Sequence, residues 1–456
     1  MNNKKISRRN FIGSTAATVA AFHVVPSHVL GGNGTQSPSD KLNIAVIGAG
    51  GQGESNLNQC TNENFVAFCD VDDERASGTF RRYPNVPKYK DFRKMLDKED
   101  KNINAVIVAT PDHTHAVVAM ECLRRDKHLF LQKPLAHSIY EVRMITEEAR
   151  KHKVQTQMGN QGHSADEIRM LYEWIQDGAI GPVREVYAWS DRPVGGNPWS
   201  DFPIMKRPEE KPAIPKALDW DLWLGPAKYR PYHPIYVPMS WRGFWDFGTG
   251  ALGDMGCHII DPAFWVLNLG HPARVEATTA HCDPEVEAET YPRASIIRYE
   301  FPARGDMPPV KLTWFDGRLL PPRPRDLEKD RSLPSNGALL IGDKGTIMHG
   351  SHGASGVRII PEIKMQAYKR PEPTLKRVPN GQNGHEQDWI RACKDGKPAC
   401  SNFDYGGPLT ETVLLGVMAM RMRDTILEWD GENMKVTNND QADQYIRPVF
   451  REGWTL

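Results

Sequence analysis

Asp254 and His258 stand four residues apart in the stretch "GALGDMGCHIID", with Asp261 less than one turn further on. On a helix, positions i and i+4 lie on one face, so this spacing brings the Asp254 carboxylate and the His258 imidazole together. A carboxylate beside an imidazole fixes its tautomer and supports the charge it gains on taking a proton. The pair is equipment for moving a proton. Lys133, in "LQKPLA", adds a cation of the kind that steadies a developing oxyanion. Two plainer readings stay open: a helix cap with a core histidine, and a carboxylate-histidine-carboxylate face for a divalent ion. Gly248, Gly250 and Gly253 allow close backbone approach and favour the reacting centre over a cap; no metal is expected.

Such groups need a scaffold, and the N-terminal third supplies one. An apolar strand over residues 44–47 runs into Gly48-Ala49-Gly50-Gly51-Gln52-Gly53 and then into a helical segment. Gly48 permits the tight turn, Gly50 lets the backbone approach a pyrophosphate, and Gly53 lets helix pack on strand. The helix N-terminus then faces phosphate. Asp70 closes the next strand, 22 residues after Gly48, where a carboxylate grips ribose hydroxyls and repels a 2′-phosphate. The expected cofactor is therefore NAD rather than NADP. Asp72 fits a cap on the segment that follows.

Two more strand-helix units follow, and their short apolar strands suit a parallel sheet covered on both faces. Ligand chemistry in such a sheet gathers at the carboxyl ends of its strands. Those ends are Thr110-Pro111-Asp112-His113-Thr114-His115 and Gln132-Lys133-Pro134.

The stretches "AVIGAGGQG", "VATPDHTHA", "LQKPLA" and "GALGDMGCHIID", in this order, resemble those of the Gfo/Idh/MocA oxidoreductases, the glucose-fructose oxidoreductase and inositol dehydrogenase group. The resemblance spans residues 41–421. It implies an α/β protein with an N-terminal Rossmann dinucleotide-binding domain, set at residues 41–160. A C-terminal α/β domain with a large open, mostly antiparallel sheet is set at 161–456. It also implies an oligomer, a homodimer or homotetramer. "REVYAWS", "RVEATTAHC", "RASIIRYEFP" and "VKLTWFDG" read as strands of that second sheet. Lys133 matches the lysine of the family's E-K-P motif, which bonds the reacting hydroxyl; Gln132 stands here in place of the glutamate. Asp254 and His258 match its D-x-x-x-H, with His258 as base and Asp254 as its orienter or a substrate ligand. His115 matches a histidine near the nicotinamide. The expected cofactor site is thus Gly48, Gly50, Gly51, Gln52, Gly53, Asp70, Thr110, Pro111, His115 and Gln132.

For substrate, "GNQGHS" offers Asn160, Gln161 and His163, while "WRGFWDFGTG" offers Trp241, Arg242 and Trp245. Aromatic faces beside amide and guanidinium donors suit a carbohydrate, whose C–H faces stack while its hydroxyls hydrogen-bond. Residues 192–240 are too long and proline-rich for a plain connection and read as a cover for the site or an oligomer contact. Residues 320–335 read as a further exposed loop. Three functions follow: oxidation of a sugar or glycoside hydroxyl, a glycosidase or lyase using transient oxidation with a tyrosine of "KYRPYHPIY" as base, and a redox-dead sugar-binding protein.

The chain begins "MNNKKISRRNFIGSTAATVAAF", paired arginines before a short uncharged stretch, which reads as a twin-arginine signal over residues 1–34. That route carries folded proteins, so a dinucleotide loaded in the cytoplasm can travel to the periplasm inside the fold. Acidic and basic residues number 57 each; without Lys4, Lys5, Arg8 and Arg9 the balance is mildly acidic. No charge block points to nucleic acid, and no later segment has the roughly 18 apolar residues of a membrane span. Seven cysteines, at 60, 69, 122, 257, 282, 393 and 400, form no C-x-x-C pair and read as mostly buried thiols.

Overall fold

The computed structural model describes residues 40–281 and 283–456; the expected leader over 1–34 and Cys282 lie outside them. Strands β1 (Asn43–Ile47), β2 (Asn64–Cys69), β3 (Lys88–Tyr89), β4 (Ala105–Val108), β5 (His128–Leu131) and β6 (Thr156–Met158) form a sheet in the order β3-β2-β1-β4-β5-β6. Every pairing in it is parallel. Because side chains alternate along a strand, the apolar run of β1 supplies both faces. Ala45 and Ile47 join one core, and Ile44 and Val46 join the other. The second core also takes Trp389 and Ile390 from the helix His385–Asp395, so a late segment of the chain helps cover the first sheet.

The second sheet holds β7 (Val183–Trp189), β8 (Arg274–Thr279), β9 (Ser295–Phe301), β10 (Val310–Phe315), β11 (Gly337–Gly342), β12 (Thr346–His349), β13 (Arg358–Ile360), β14 (Leu427–Asp430) and β15 (Lys435–Val436). Its order is β13-β12-β11-β7-β10-β9-β8-β14-β15. It is antiparallel apart from the parallel pair β7 and β10. The four strands read from the sequence are all present. Ile297, Tyr299, Leu312 and Trp314 fill the inner face, while Arg298, Lys311 and Thr313 stay on the solvent face.

Residues 192–240 fold back over the first domain. Asp73 N–H donates to the Ala217 carbonyl at 3.1 Å, and Asp219 N–H to that of Val71 at 2.8 Å. Behind this seam Trp220 and Trp223 stack at 4.7 Å within an aromatic cluster that includes Tyr232 and Tyr236. Residues 320–335 are largely exposed, pinned by the buried Leu327. Among the described residues all cysteines are free, and no helix is long and apolar enough to cross a membrane.

Candidate active site

A cleft of about 500 Å³ runs along the carboxyl ends of β1, β2, β4 and β5 and is closed by the 192–240 segment. Its floor is the glycine turn. Gly48 has φ +81°, and a side chain there would meet the Ala109 carbonyl oxygen at 2.6 Å. At Gly53 an added Cβ would lie 1.7 Å from the Gly48 carbonyl oxygen, so only glycine lets this helix start so close to β1. The Gly50 N–H donates to Asp70 Oδ2 at 3.1 Å, and the Asp72 N–H to Asp70 Oδ1 at 3.0 Å. Burial pushes the Asp70 carboxyl up to about 6 against these donors. Asp72 accepts from the Glu74 and Arg75 N–H groups, which is the capping role read for it.

These features fit a dinucleotide: a cradle that any Cβ would fill, a helix N-terminus and a buried carboxylate at the end of β2. Gly50, Gly51, Gln52, Thr110, Pro111 and Gln132 all line the cleft, with Gly48 and Asp70. Gly53 acts from beneath, by packing. Gln132 donates from Nε2 to Asn56 Oδ1 at 2.9 Å, and Asn56 in turn to Glu386. A buried amide chain therefore fixes the residue before Lys133 where the family motif has a glutamate.

His115 lies outside the cleft lining. Its two ring nitrogens lie 2.8 Å from the carbonyls of Pro134 and Thr110, and it is buried. It ties the turn after β4 to the turn after β5. Burial lowers its proton affinity to about 4.

At the other end of the cleft Asp254 is the centre of a charge cluster. The Lys133 ammonium donates to Asp254 Oδ1 and to its backbone carbonyl, each at 2.7 Å. Arg192 Nε lies 3.1 Å from Oδ2 and Arg242 Nε 3.4 Å from Oδ1. Burial opposes ionisation of Asp254, but these three cations hold its carboxyl far below the usual carboxylate range. The helix Gly250–Ile259 does put Asp254 and His258 on one face. Yet the carboxylate does not orient the imidazole, because Asp254 is engaged by the cations instead. The ring of His258 packs on that of His352, with centroids 4.0 Å apart, and its Nδ1 is buried without a hydrogen-bond partner. His352 Nδ1 is paired with the Ser351 hydroxyl at 2.8 Å. Burial, together with His352 and Lys133, holds His258 well below 6.5; His352 is lowered to about 4, again by burial first.

Asp261 is turned away, 2.8 Å from His163 Nδ1 and bonded to the Tyr405 hydroxyl, so it forms no metal face with Asp254 and His258. His163 is thereby part of a buried pair. Asn160 is also buried, accepting from the Ser401 hydroxyl at 2.7 Å. Of "GNQGHS" only Gln161 lines the cleft. Trp241 and Arg242 do line it, with the guanidinium 4.2 Å over the indole. Trp245 does not; it packs on Tyr291 at 3.7 Å and beneath Arg421. Tyr229, Tyr232 and Tyr236 are absent from the lining too.

Arg75, Asp112, Arg192 and His352 are cleft residues that the motifs did not single out. The position of Arg192 just past the carboxyl end of β7 was a usable signal. His352 had only the glycine-rich turn "HGSHGASG".

Residues 42–160 match the description "Oxidoreductase family, NAD-binding Rossmann fold", and residues 168–300 match that family's C-terminal alpha/beta domain. The chain belongs to the Gfo/Idh/MocA oxidoreductase family. Its first domain is an NAD-binding Rossmann domain. Within the family, levoglucosan dehydrogenase of Pseudarthrobacter phenanthrenivorans is 24% identical over 256 residues, 54% of this chain and 55% of that protein. An inositol 2-dehydrogenase/D-chiro-inositol 3-dehydrogenase of Lacticaseibacillus casei is 31% identical over 146 residues, 31% of this chain and 42% of that protein. The chain thus spans about half the length of these curated relatives. Among solved structures, the WlbA dehydrogenase from Bordetella pertussis with NADH and UDP-GlcNAcA superposes with TM-score 0.59 at 16% identity, over 86% of this chain and 98% of that one. Levoglucosan dehydrogenase with NADH and levoglucosan gives 0.55 at 16% identity, over 85% and 99%. At such identity these two show the fold.

Proposed function

We propose that this protein is an NAD-dependent oxidoreductase acting on a hydroxyl of a sugar or glycoside. The observation that carries the reading is the meeting of Lys133, Asp254, Arg242 and His258 in one cleft with the glycine turn and Asp70. The curated and structural relatives act on or bind inositols and sugars, which supports the substrate class. Bound NAD supplies a hydride acceptor at the carbon bearing the hydroxyl. The chain's own residues do the rest. Lys133, held by Asp254 at 2.7 Å, binds the hydroxyl oxygen and stabilises the charge that develops there. His258 is kept neutral by burial, so it is ready to take the hydroxyl proton at Nε2, its Nδ1 being enclosed. Trp241 and Arg242 hold the sugar face against the reacting end.

The reading includes export. With a twin-arginine leader, the protein folds around NAD in the cytoplasm and works in the periplasm as an oligomer, with its cofactor retained and restored on the enzyme by a carbonyl acceptor. Expression with the leader intact, followed by mass spectrometry of what the purified periplasmic protein releases on denaturation, tests retention. Absorbance of reduced nicotinamide after mixing with a glycoside panel tests the chemistry. A loaded protein that stays silent across the panel overturns the oxidoreductase reading.

A further inference from the structure

Charge at the reacting end is out of balance. Lys133, Arg192 and Arg242 face the cleft, against the carboxylates of Asp254 and Asp112. Asp112 is buried and accepts from the Thr249 hydroxyl at 2.6 Å, and Arg242 and Lys133 act on it from beyond ion-pair distance. Among the described residues Asp254 is the one carboxylate in ion-pair contact with all three, so three cations face two carboxylates. His258 and His352, the titratable groups that complete this wall, are neutral, and neither offsets the surplus.

Arg192 shows where the excess is available. Its Nε is used, 3.3 Å from the Trp199 carbonyl and 3.1 Å from Asp254 Oδ2. Among the described residues its terminal nitrogens make no hydrogen bond, although the side chain is only 20% exposed. A half-enclosed guanidinium with its fork free is matched in geometry by a carboxylate, which takes two parallel N–H donors. A neutral hydroxyl takes one donor and leaves the surplus charge in place. Trp199, 65% exposed at the rim, and Trp241, under Arg242, give the apolar faces that a sugar ring needs beside that fork.

We propose that the substrate is a carboxylate-bearing sugar, a uronic acid or uronide, whose carboxylate is taken by the terminal nitrogens of Arg192 while Lys133 holds the reacting hydroxyl. This rests on the oxidoreductase reading and narrows it from sugars in general to acidic ones. It also accounts for why three cations are gathered at one end of a cleft in a chain with no overall basic excess.

The test uses the whole protein loaded with NADH, so that no turnover occurs. Methyl glycosides of glucose, galactose and mannose, and the corresponding methyl uronides, are titrated while cofactor fluorescence and calorimetry are followed. At least one uronide is expected to bind about tenfold or more tightly than its neutral counterpart, with the advantage shrinking as salt is raised. Arg192→Gln should bring that uronide down to the level of the glycoside, and Arg192→Lys, which keeps the charge but not the fork, should retain part of the advantage. NADH binding by each variant shows that it is folded. Neutral members binding as well as their acids, no uronide binding at all, or an advantage that survives Arg192→Gln each overturns the proposal. Failure of NADH to bind is seen in the same titration and overturns the oxidoreductase reading instead.

Discussion

Lys133 and Asp254 meet at 2.7 Å, and the same Asp254 carboxylate also faces Arg192 and Arg242. The aspartate of the D-x-x-x-H motif is therefore an anchor for cations, and its neighbour on the helix face, His258, is left to a second histidine.

The asymmetry of this cluster predicts unequal costs. Lys133→Met leaves Asp254 with two guanidinium groups, so the fold and NAD binding should persist while hydride transfer drops about 10²–10⁴-fold. Asp254→Asn leaves three cations, each less than a quarter exposed, without their carboxylate. Breaking a buried pair from one side costs about 3–5 kcal/mol. Urea midpoints should therefore fall clearly for Asp254→Asn and little for Lys133→Met; equal midpoints would show that the cluster contributes nothing to folding.

Asp70 predicts a pH dependence of cofactor affinity. Its carboxyl, raised by burial to about 6, is protonated below that pH and then no longer accepts from ribose hydroxyls. NAD affinity should rise with pH through this range and fall about tenfold from pH 7 to pH 5. Asp70→Asn should flatten the profile, and Asp70→Ala should also lessen discrimination against NADP, for a loss of about 1–3 kcal/mol. Calorimetric titration at each pH reads all of this. A wild-type profile without slope would reassign Asp70 to a purely structural role.

Much of this architecture was legible because it is periodic. The apolar run of β1 and the alternation of β9 are properties of neighbouring residues, and the glycine turn reads directly as backbone geometry. In the site, Lys133, Asp254, His258, Gln161, Trp241 and Arg242 all reach the cleft. Asn160 and His163 do not, because residues 161–164 form a short 3-10 turn whose successive side chains point in different directions. Nothing local says which one faces in. Arg192 and His352 come from loops that follow β7 and β12, and only the approach of the second sheet to the first domain brings them to Lys133. At His115 motif position fixes the backbone, but the carbonyls of Pro134 and Thr110 decide what its ring does.

Gly53 offers a steric test of the cradle. Gly53→Ala would place its Cβ 1.7 Å from the Gly48 carbonyl oxygen, so the helix Gln52–Asn58 must move away from β1. Overpacking of this kind costs about 1–3 kcal/mol. The pyrophosphate position moves with the helix, so NAD affinity should fall along with the thermal midpoint. Full affinity in a protein that is destabilised would separate the helix start from the cofactor site.

The stacked histidines make the last prediction. His258 and His352 lie 4.0 Å apart, and burial with Lys133 nearby keeps both neutral well below the ordinary imidazole value, His352 to about 4. An imidazole that must be neutral to accept a proton loses that capacity only below its own pKa. With cofactor already bound, single-turnover reduction should therefore stay flat from about pH 8 down through about pH 6.5, where an unperturbed histidine base would already be half protonated. His258→Ala should lower the rate about 10²–10⁴-fold at every pH. His352→Ala should act differently. It opens the His258 ring to solvent, relieves the desolvation that depresses it, and should move the acid limb upward toward 6.5 while leaving a measurable rate at pH 8. A wild-type limb already near 6.5, or a near-normal rate in the His258 variant, would remove His258 as the base and pass that role to Lys133.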